Sequence, residues 1–387
     1  MTPDVSARTA TVLPLLREHA AEVDAQASFP VAALTALRAN GLLGLLVPKA
    51  FGGLGGDLAA LADVAQSLAA GCLSTAMIWA MHCQQVDALV RHAGPELAAS
   101  VLPRIARGEL YLASVTTEPG KGGHLLSASA SLLGDDFLTL ERDAPVVTGG
   151  QYADAFLVTM RAAPDAADHQ VSLVYADRTQ LTLETRGTWN PMGMRGTDSV
   201  GLRLSGKVPS GQVIGRAGRF RDVALDSMIV AGHIGWSACW LGAARSALRD
   251  FIALARSPRR PRTVDPRNDL VSARLARIRM DLELAGAYLH RVVDEMIEAR
   301  RSGQRIDTPA AQIHLNTLKV TVSELAFRSV DNLVQLAGFG IGYLATSAVP
   351  LERHFRDLRS AALNYANDRL LTATGALSLL DREIRLA

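Results

Sequence analysis

From about Val12 to Leu112, apolar residues recur at intervals of three and four, the period of helices with one buried face. Pro48 and the glycines of AFGGLGGD (50–57) interrupt that pattern, marking a loop between helices. Around Ser114 the texture changes. Short β-favouring runs follow (ASVTT, FLTLE, PVVTG, AFLVTM, VSLVYA, LTLETR and VGLRLSG), separated by Gly, Pro and Asp turns. They predict a small β barrel or sandwich of roughly 100 residues. From about Arg219 the helical period returns and runs to the end, for example in ALDSMIVAGHIGWSACWLGAARSALRDFIALA. Segments of that length suit a bundle of long helices. The predicted class is α+β, with a helical region 1–112, a β region 113–218 and a helical bundle 219–387.

Composition narrows the functional classes. A chain of 387 residues can bury a large core, and a formal charge of +2 argues against a dedicated nucleic-acid or acidic-membrane surface. Cys72, Cys83 and Cys239 follow no metal-ligand spacing and cannot all pair, so a reducing, cytoplasmic setting is expected. The N-terminal stretch mixes charges into an amphipathic pattern without an apolar signal core. No run approaches the ~18 apolar residues of a membrane span. GFGIG at 338–342 neither follows a strand nor fits a dinucleotide fingerprint, and no serine nucleophile elbow occurs.

Five separated segments carry a resemblance. They are GLLGLLVPKAFGGLGGD (41–57), LSTAMIWAMH (73–82), TTEPGKGG (116–123), MGMRGTDS (192–199), and VQLAGFGIGY with PLERHFRDLRSA (334–361). In this order and spacing they resemble the acyl-CoA dehydrogenase family. The resemblance implies an N-terminal helical domain, a middle β barrel and a C-terminal four-helix bundle, with FAD held between them and a homotetramer as the assembly. FMN is the alternative cofactor should the chain fall in the monooxygenase branch of the fold.

It also implies site residues. Thr117 matches a hydroxyl that contacts the flavin ring, and backbone N–H groups of that loop suit phosphate and carbonyl oxygens. A serine that usually touches pyrophosphate is replaced by Gly123, so Gly122 and Gly123 offer only backbone. The Trp and Thr that flank the flavin fall at Pro145 and Val147, and Thr148 stands one position away as a substitute. Gln335 and Gly338 match positions that reach a neighbouring subunit's FAD. Arg256 and Arg259 lie where an arginine meets the pyrophosphate, and Asn367 falls among the cofactor-binding positions. His82 and Asn364 are the candidate substrate contacts, with a packed or rim position beside Trp79 and Met81 as the other reading of His82, while Arg195 is expected to brace its own loop.

The expected chemistry meets an obstacle at the base. Family dehydrogenases remove an α-proton from an acyl thioester with a glutamate that follows the Arg-Asp of the last motif by eight residues. Counting from Asp357 places Tyr365 there, and a phenol with an ordinary pKa of about 10 is a poor base at neutral pH. The alternative family position falls at Leu225, beside Asp226, which is the acid available as a relocated base. The leading expectation is dehydrogenation of an acyl thioester, on CoA or an acyl-carrier protein, with an electron-accepting flavoprotein as partner. The alternatives are a monooxygenase that takes reduced flavin from a reductase and activates O2, and a non-catalytic homologue that binds flavin or thioester.

Overall fold

The computed structural model describes residues 2–120, 125–258, 260, 264–265 and 267–387. Five helices come first: α1 (Pro3–Gln26), α2 (Val31–Ala39), α3 (Leu58–Ala69), α4 (Leu73–His92) and α5 (Pro95–Ala106). The loop read from Pro48 and its glycines lies between α2 and α3. Asp57 ends it as the N-cap of α3, its carboxylate accepting from Ala60 N at 2.9 Å.

Seven strands follow: β1 (Leu112–Val115), β2 (Phe137–Ala144), β3 (Ala155–Arg161), β4 (Val171–Asp177), β5 (Leu181–Arg186), β6 (Gly201–Pro209) and β7 (Val213–Ile214). They form two sheets of order β1-β3-β4-β7 and β2-β6-β5. Single bridges from Ser131 to Arg161 and from Leu133 to Thr139 tie the sheets together. β3 and β4 read as nearly continuous apolar runs because both their faces are buried. The PVVTG run forms no strand. Gly149 adopts φ +60°, and the N–H groups of Val147 and Gly149 are spent on Val200 O and Thr197 O. That path brings Pro145, Val146 and Thr148 to the site instead.

The closing helices are α6 (Phe220–Val223), α7 (Ile229–Ala255), α8 (Asp269–Ser302), α9 (Pro309–Gly338), α10 (Leu351–Arg359) and α11 (Asn367–Ser378). α7 is apolar nearly all round and is the buried centre of the bundle. It approaches α3 so closely that a Cβ on Gly242 would lie 2.3 Å from Gln66 O. One π-helical turn, Ala224–Met228, joins α6 to α7. A widened turn frees carbonyls from the helical ladder, and side chains from three other helices take them up. Gln84 Nε2 donates to Met228 O at 2.7 Å, Arg300 to Asp226 O at 3.1 Å, and Gln312 Nε2 to Leu225 O at 3.4 Å. The three cysteines are buried free thiols. Among the described residues no helix is long and apolar enough to cross a membrane, and no cluster of His, Cys, Asp or Glu could hold a metal ion.

Candidate functional site

α4, the first β sheet, the 189–199 loop, α7 and the segment after α10 enclose a cavity of about 920 Å³. Its walls are mainly apolar, with Met77 and Met81 from α4, Trp189 and Met192 from the loop, and Leu363 beyond α10. This is the combination expected of a small-molecule site: an apolar chamber carrying a few fixed polar groups.

The polar groups lie chiefly on the β side. Thr117 Oγ1 donates to Val146 O at 2.9 Å and faces Val146 N at 3.4 Å, pinning the 145–148 segment against its own loop. Thr148 Oγ1 meets Ser199 Oγ at 3.1 Å, and Ser199 Oγ meets Thr197 Oγ1 at 2.9 Å. Thr197 in turn donates to Met194 O at 2.9 Å. The result is a chain of hydroxyls along one edge of the cavity. Glu118 is the only carboxylate among the described lining residues, and it is already committed. Its oxygens accept from Ser129 N at 2.7 Å and Ala130 N at 2.8 Å, and one lies 2.8 Å from the fully buried guanidinium of Arg142.

The MGMRG turn is seated on α10 by backbone approach and by carboxylates. A Cβ on Gly193 would lie 2.0 Å from Arg356 O, so only glycine lets the two backbones meet. Asp357 Oδ1 accepts from Met194 N at 2.6 Å, and burial pushes the Asp357 carboxyl up to about 6. Arg356 donates to Asp24 at 2.6 and 3.0 Å, to Glu352 at 2.7 Å and to Met192 O at 3.1 Å. Arg195 donates to Asp24 O at 2.7 Å and to Pro191 O at 3.1 Å. It braces the loop and does not line the cavity, as the sequence reading expected.

The end of α10 supplies Arg359, the turn that follows supplies Leu363, Asn364 and Tyr365, and α11 supplies Arg369. Tyr365 has φ +51°, a left-handed backbone unusual for a non-glycine residue. Burial raises its phenol above the ordinary tyrosine value, so it stays protonated and able to donate. Asn364 Nδ2 and Trp236 Nε1, also in the wall, are buried donors without a partner among the described residues. Two such donors at one cavity are sites for a ligand acceptor. Sequence reasoning had not singled out Trp236, Arg359 or Arg369. The only signal was an indole within an apolar helix and arginines among many.

Several expected contacts are placed elsewhere. Asp226 is absent from the cavity lining. Its carboxylate accepts from Arg91 at 2.7 and 3.0 Å and meets His92 Nε2 at 2.9 Å. Burial alone would raise this carboxyl, but the bonds from His92 and Arg91 outweigh it and hold the group well below the usual range. The expectation of a relocated base is corrected on that geometry. Asp226→Asn is expected to leave catalytic turnover within about twofold while costing about 0.5–1 kcal/mol of stability. Steady-state rates and urea unfolding at pH 7 check this. The lost stabilisation should shrink as pH falls through the acid range, where the wild-type carboxylate itself is protonated.

His82 is fully buried, accepts from Leu112 N at Nδ1 (3.0 Å) and therefore donates from Nε2 to Leu43 O (2.9 Å). Burial pulls its imidazole down to about 4. It is a neutral strut between α4 and the chain around it, not a substrate contact. Asn367 also misses the cavity, because its amide is engaged with Lys319, Ser323 and Glu324 on α9. Thr117, Thr148, Asn364 and Tyr365 do line it. Arg256, Gln335 and Gly338 are exposed and lie outside it. Gly122, Gly123 and Arg259 lie outside the described residues.

Comparison with known proteins agrees with the architecture. Residues 11–109 match the model of the acyl-CoA dehydrogenase N-terminal domain, and residues 234–369 match that of the acyl-CoA dehydrogenase C-terminal domain. Among curated proteins, 3-(aryl)acrylate reductase of Clostridium sporogenes is 23% identical over 345 residues, covering 88% of each chain. Butyryl-CoA dehydrogenase from Megasphaera elsdenii superposes with a TM-score of 0.86 at 20% identity, over 98% of this chain and 99% of that one. FMN-bound TdsC from Paenibacillus sp. A11-2 gives a TM-score of 0.87 at 21% identity, over 98% of each chain. The chain belongs to the acyl-CoA dehydrogenase superfamily of flavin-dependent oxidoreductases.

Proposed function

We propose that this protein is a reduced-flavin-dependent monooxygenase acting on an aromatic or heteroatom-bearing substrate. The observation that carries the reading is the cavity's acid inventory. Abstraction of a thioester α-proton needs an ionised base within hydrogen-bond reach. Among the described lining residues the only carboxylate is Glu118, occupied by two backbone N–H groups and Arg142. The position where a dehydrogenase glutamate is expected carries Tyr365, whose phenol burial drives further from ionisation. Hydroxylation by activated oxygen needs no such base. A second structure of TdsC, a dibenzothiophene monooxygenase, shares the fold at a TM-score of 0.84.

The residues present fit a flavin. Thr117, Thr148 and Ser199 would meet the polar edge of an isoalloxazine, and Trp236 Nε1 and Asn364 Nδ2 supply donors without a partner among the described residues. When bound and reduced, the flavin supplies the electrons and carries the oxygen chemistry. The chain's own part is positional. Met77, Met81, Trp189 and Leu363 exclude water and clamp a planar apolar substrate, while the protonated Tyr365 donates a hydrogen bond. A separate reductase is the partner that renews the reduced flavin. Exposed Phe339 and Tyr343, stacked with centroids 5.2 Å apart beside exposed Gln335 and Gly338, support a homotetramer in which those positions serve a neighbour's flavin.

The test is direct. Purified protein should hold flavin weakly and form hydroxylated product from an aromatic substrate such as indole only when a flavin reductase, NADH and O2 are supplied. Butyryl-CoA should leave FAD-loaded protein yellow under anaerobic conditions. Anaerobic bleaching by an acyl thioester would overturn the proposal in favour of dehydrogenation.

A further inference from the structure

The cavity wall after α10 is held from behind by one charged side chain. Lys319, on α9, is fully buried, although lysine is almost never fully buried unless paired. Its ammonium donates to Ala361 O at 3.1 Å, to Tyr365 O at 3.1 Å and to Asn367 Oδ1 at 2.7 Å. Three donors meet three acceptors, the full capacity of the group. The indole face of Trp240, 5.5 Å from Nζ, adds a cation–π contact. None of the three acceptors is a carboxylate; burial pulls the Lys319 amine down to about 7 and the nearby Glu324 carboxylate pushes it back, so hydrogen bonds and not a direct ion pair hold it in place.

What these bonds accomplish is local. Ala361 and Tyr365 follow α10, where carbonyls lack helical partners, and the ammonium bridges two of them across the turn. Between those anchors lie Leu363 and Asn364, both in the cavity wall together with Tyr365. Tyr365 has no glycine-like freedom, yet its φ is +51°. A left-handed conformation costs an L-residue about 1–2 kcal/mol and persists where surrounding contacts over-determine it. The bond from Lys319 to Tyr365 O is such a contact. Asn367 extends the hold by donating to Ser323 Oγ at 3.0 Å and Glu324 Oε1 at 3.2 Å, both on α9.

We propose that Lys319 is a positioning residue whose ammonium fixes the 361–367 turn, and so presents Asn364 and Tyr365 to the ligand in the cavity. A leucine or methionine there would fill the same volume at lower desolvation cost, but would leave two buried carbonyls unmatched and take from Asn367 Oδ1 its shortest bond. The role does not depend on which oxidation the site performs.

Hydrogen exchange of the flavin-free protein tests it, comparing wild type with Lys319→Met and Asn367→Leu. Loss of a hydrogen bond to a charged group is worth about 1.5–3 kcal/mol. The amides of Asn364 and Asn367, which bond to Ser360 O and Ala362 O, should therefore exchange about 10- to 100-fold faster. The rest of α9 and α7 should keep wild-type protection. Added FAD should bind at least about tenfold more weakly to both variants, with a visible spectrum closer to that of free flavin. Should Lys319→Met not fold, Asn367→Leu decides alone, since it removes the shortest of the three bonds from the end of α11. Unchanged exchange at 362–368 in the folded variants overturns the proposal. So does a uniform rise across the bundle with a matching drop in melting temperature, which would make Lys319 a general structural residue.

Discussion

Gly193→Ala is expected to dislodge the 189–199 loop and to abolish flavin binding, with a stability loss of about 3 kcal/mol or more. The added Cβ would lie 2.0 Å from Arg356 O, 2.2 Å from Arg356 C and 2.6 Å from Asp357 N. All three are backbone atoms in α10, so no side-chain rotation relieves the clash. Separation there also breaks the 2.6 Å bond from Met194 N to Asp357, leaving a buried carboxylate without its donor. Trp189, Met192 and Met194 would move with the loop, and all three line the cavity. Gly211→Ala is the control, because a Cβ there meets nothing within 4 Å. Thermal melting and FAD titration compare the two. Equal melting temperatures and equal affinities would mean that the loop is not locked onto α10.

The sequence made the architecture legible because periodicity reports which faces are buried. The alternation of helical, extended and helical texture corresponds to α1–α5, the two sheets and α6–α11. PVVTG was the exception. Its β-favouring composition was overridden by Gly149 in the left-handed region and by donors committed to the 197–200 segment. The β side of the site was legible as well, since Thr117 and Thr148 sit in short loops beside recognisable motifs, and both line the cavity.

Contacts between distant helices were not legible. Asp226 read as an available acid because Arg91 and His92, 135 and 134 residues earlier, could not be foreseen as its partners. His82 read either as a substrate contact or as a packed residue beside Trp79 and Met81, and only the backbone groups at Leu43 and Leu112, which take up both ring nitrogens, decide for packing. Asn367 stood among the implied cofactor positions, whereas its amide turns to α9 and Lys319. In each case the type of residue was informative, and the direction of its side chain was decided by groups far along the chain.

The second large effect is expected at Glu118. Arg142 has no exposed surface, and its guanidinium faces Glu118 at 2.8 Å while donating to Thr117 O at 3.0 Å. Burial pulls Arg142 below the ordinary arginine value, and Glu118 pushes it back. Removing one partner of a buried pair strands the other charge, a loss of about 3–5 kcal/mol. Glu118→Gln should therefore be severe despite its small change in shape. The amide leaves Arg142 without a counter-charge and turns an NH2 towards the N–H of Ser129 or Ala130. The double replacement Glu118→Leu with Arg142→Met should be more stable than either single change, because no charge is then left buried. Flavin affinity should fall in the single variants, since Arg142 anchors the carbonyl of Thr117 in the cavity wall. Urea unfolding of wild type, Glu118→Leu, Arg142→Met and the double variant at pH 7 measures the coupling. Additive losses across the cycle would show that the pair does not act as a unit. Wild-type flavin affinity in Glu118→Gln would show that the Thr117 loop keeps its position without the pair.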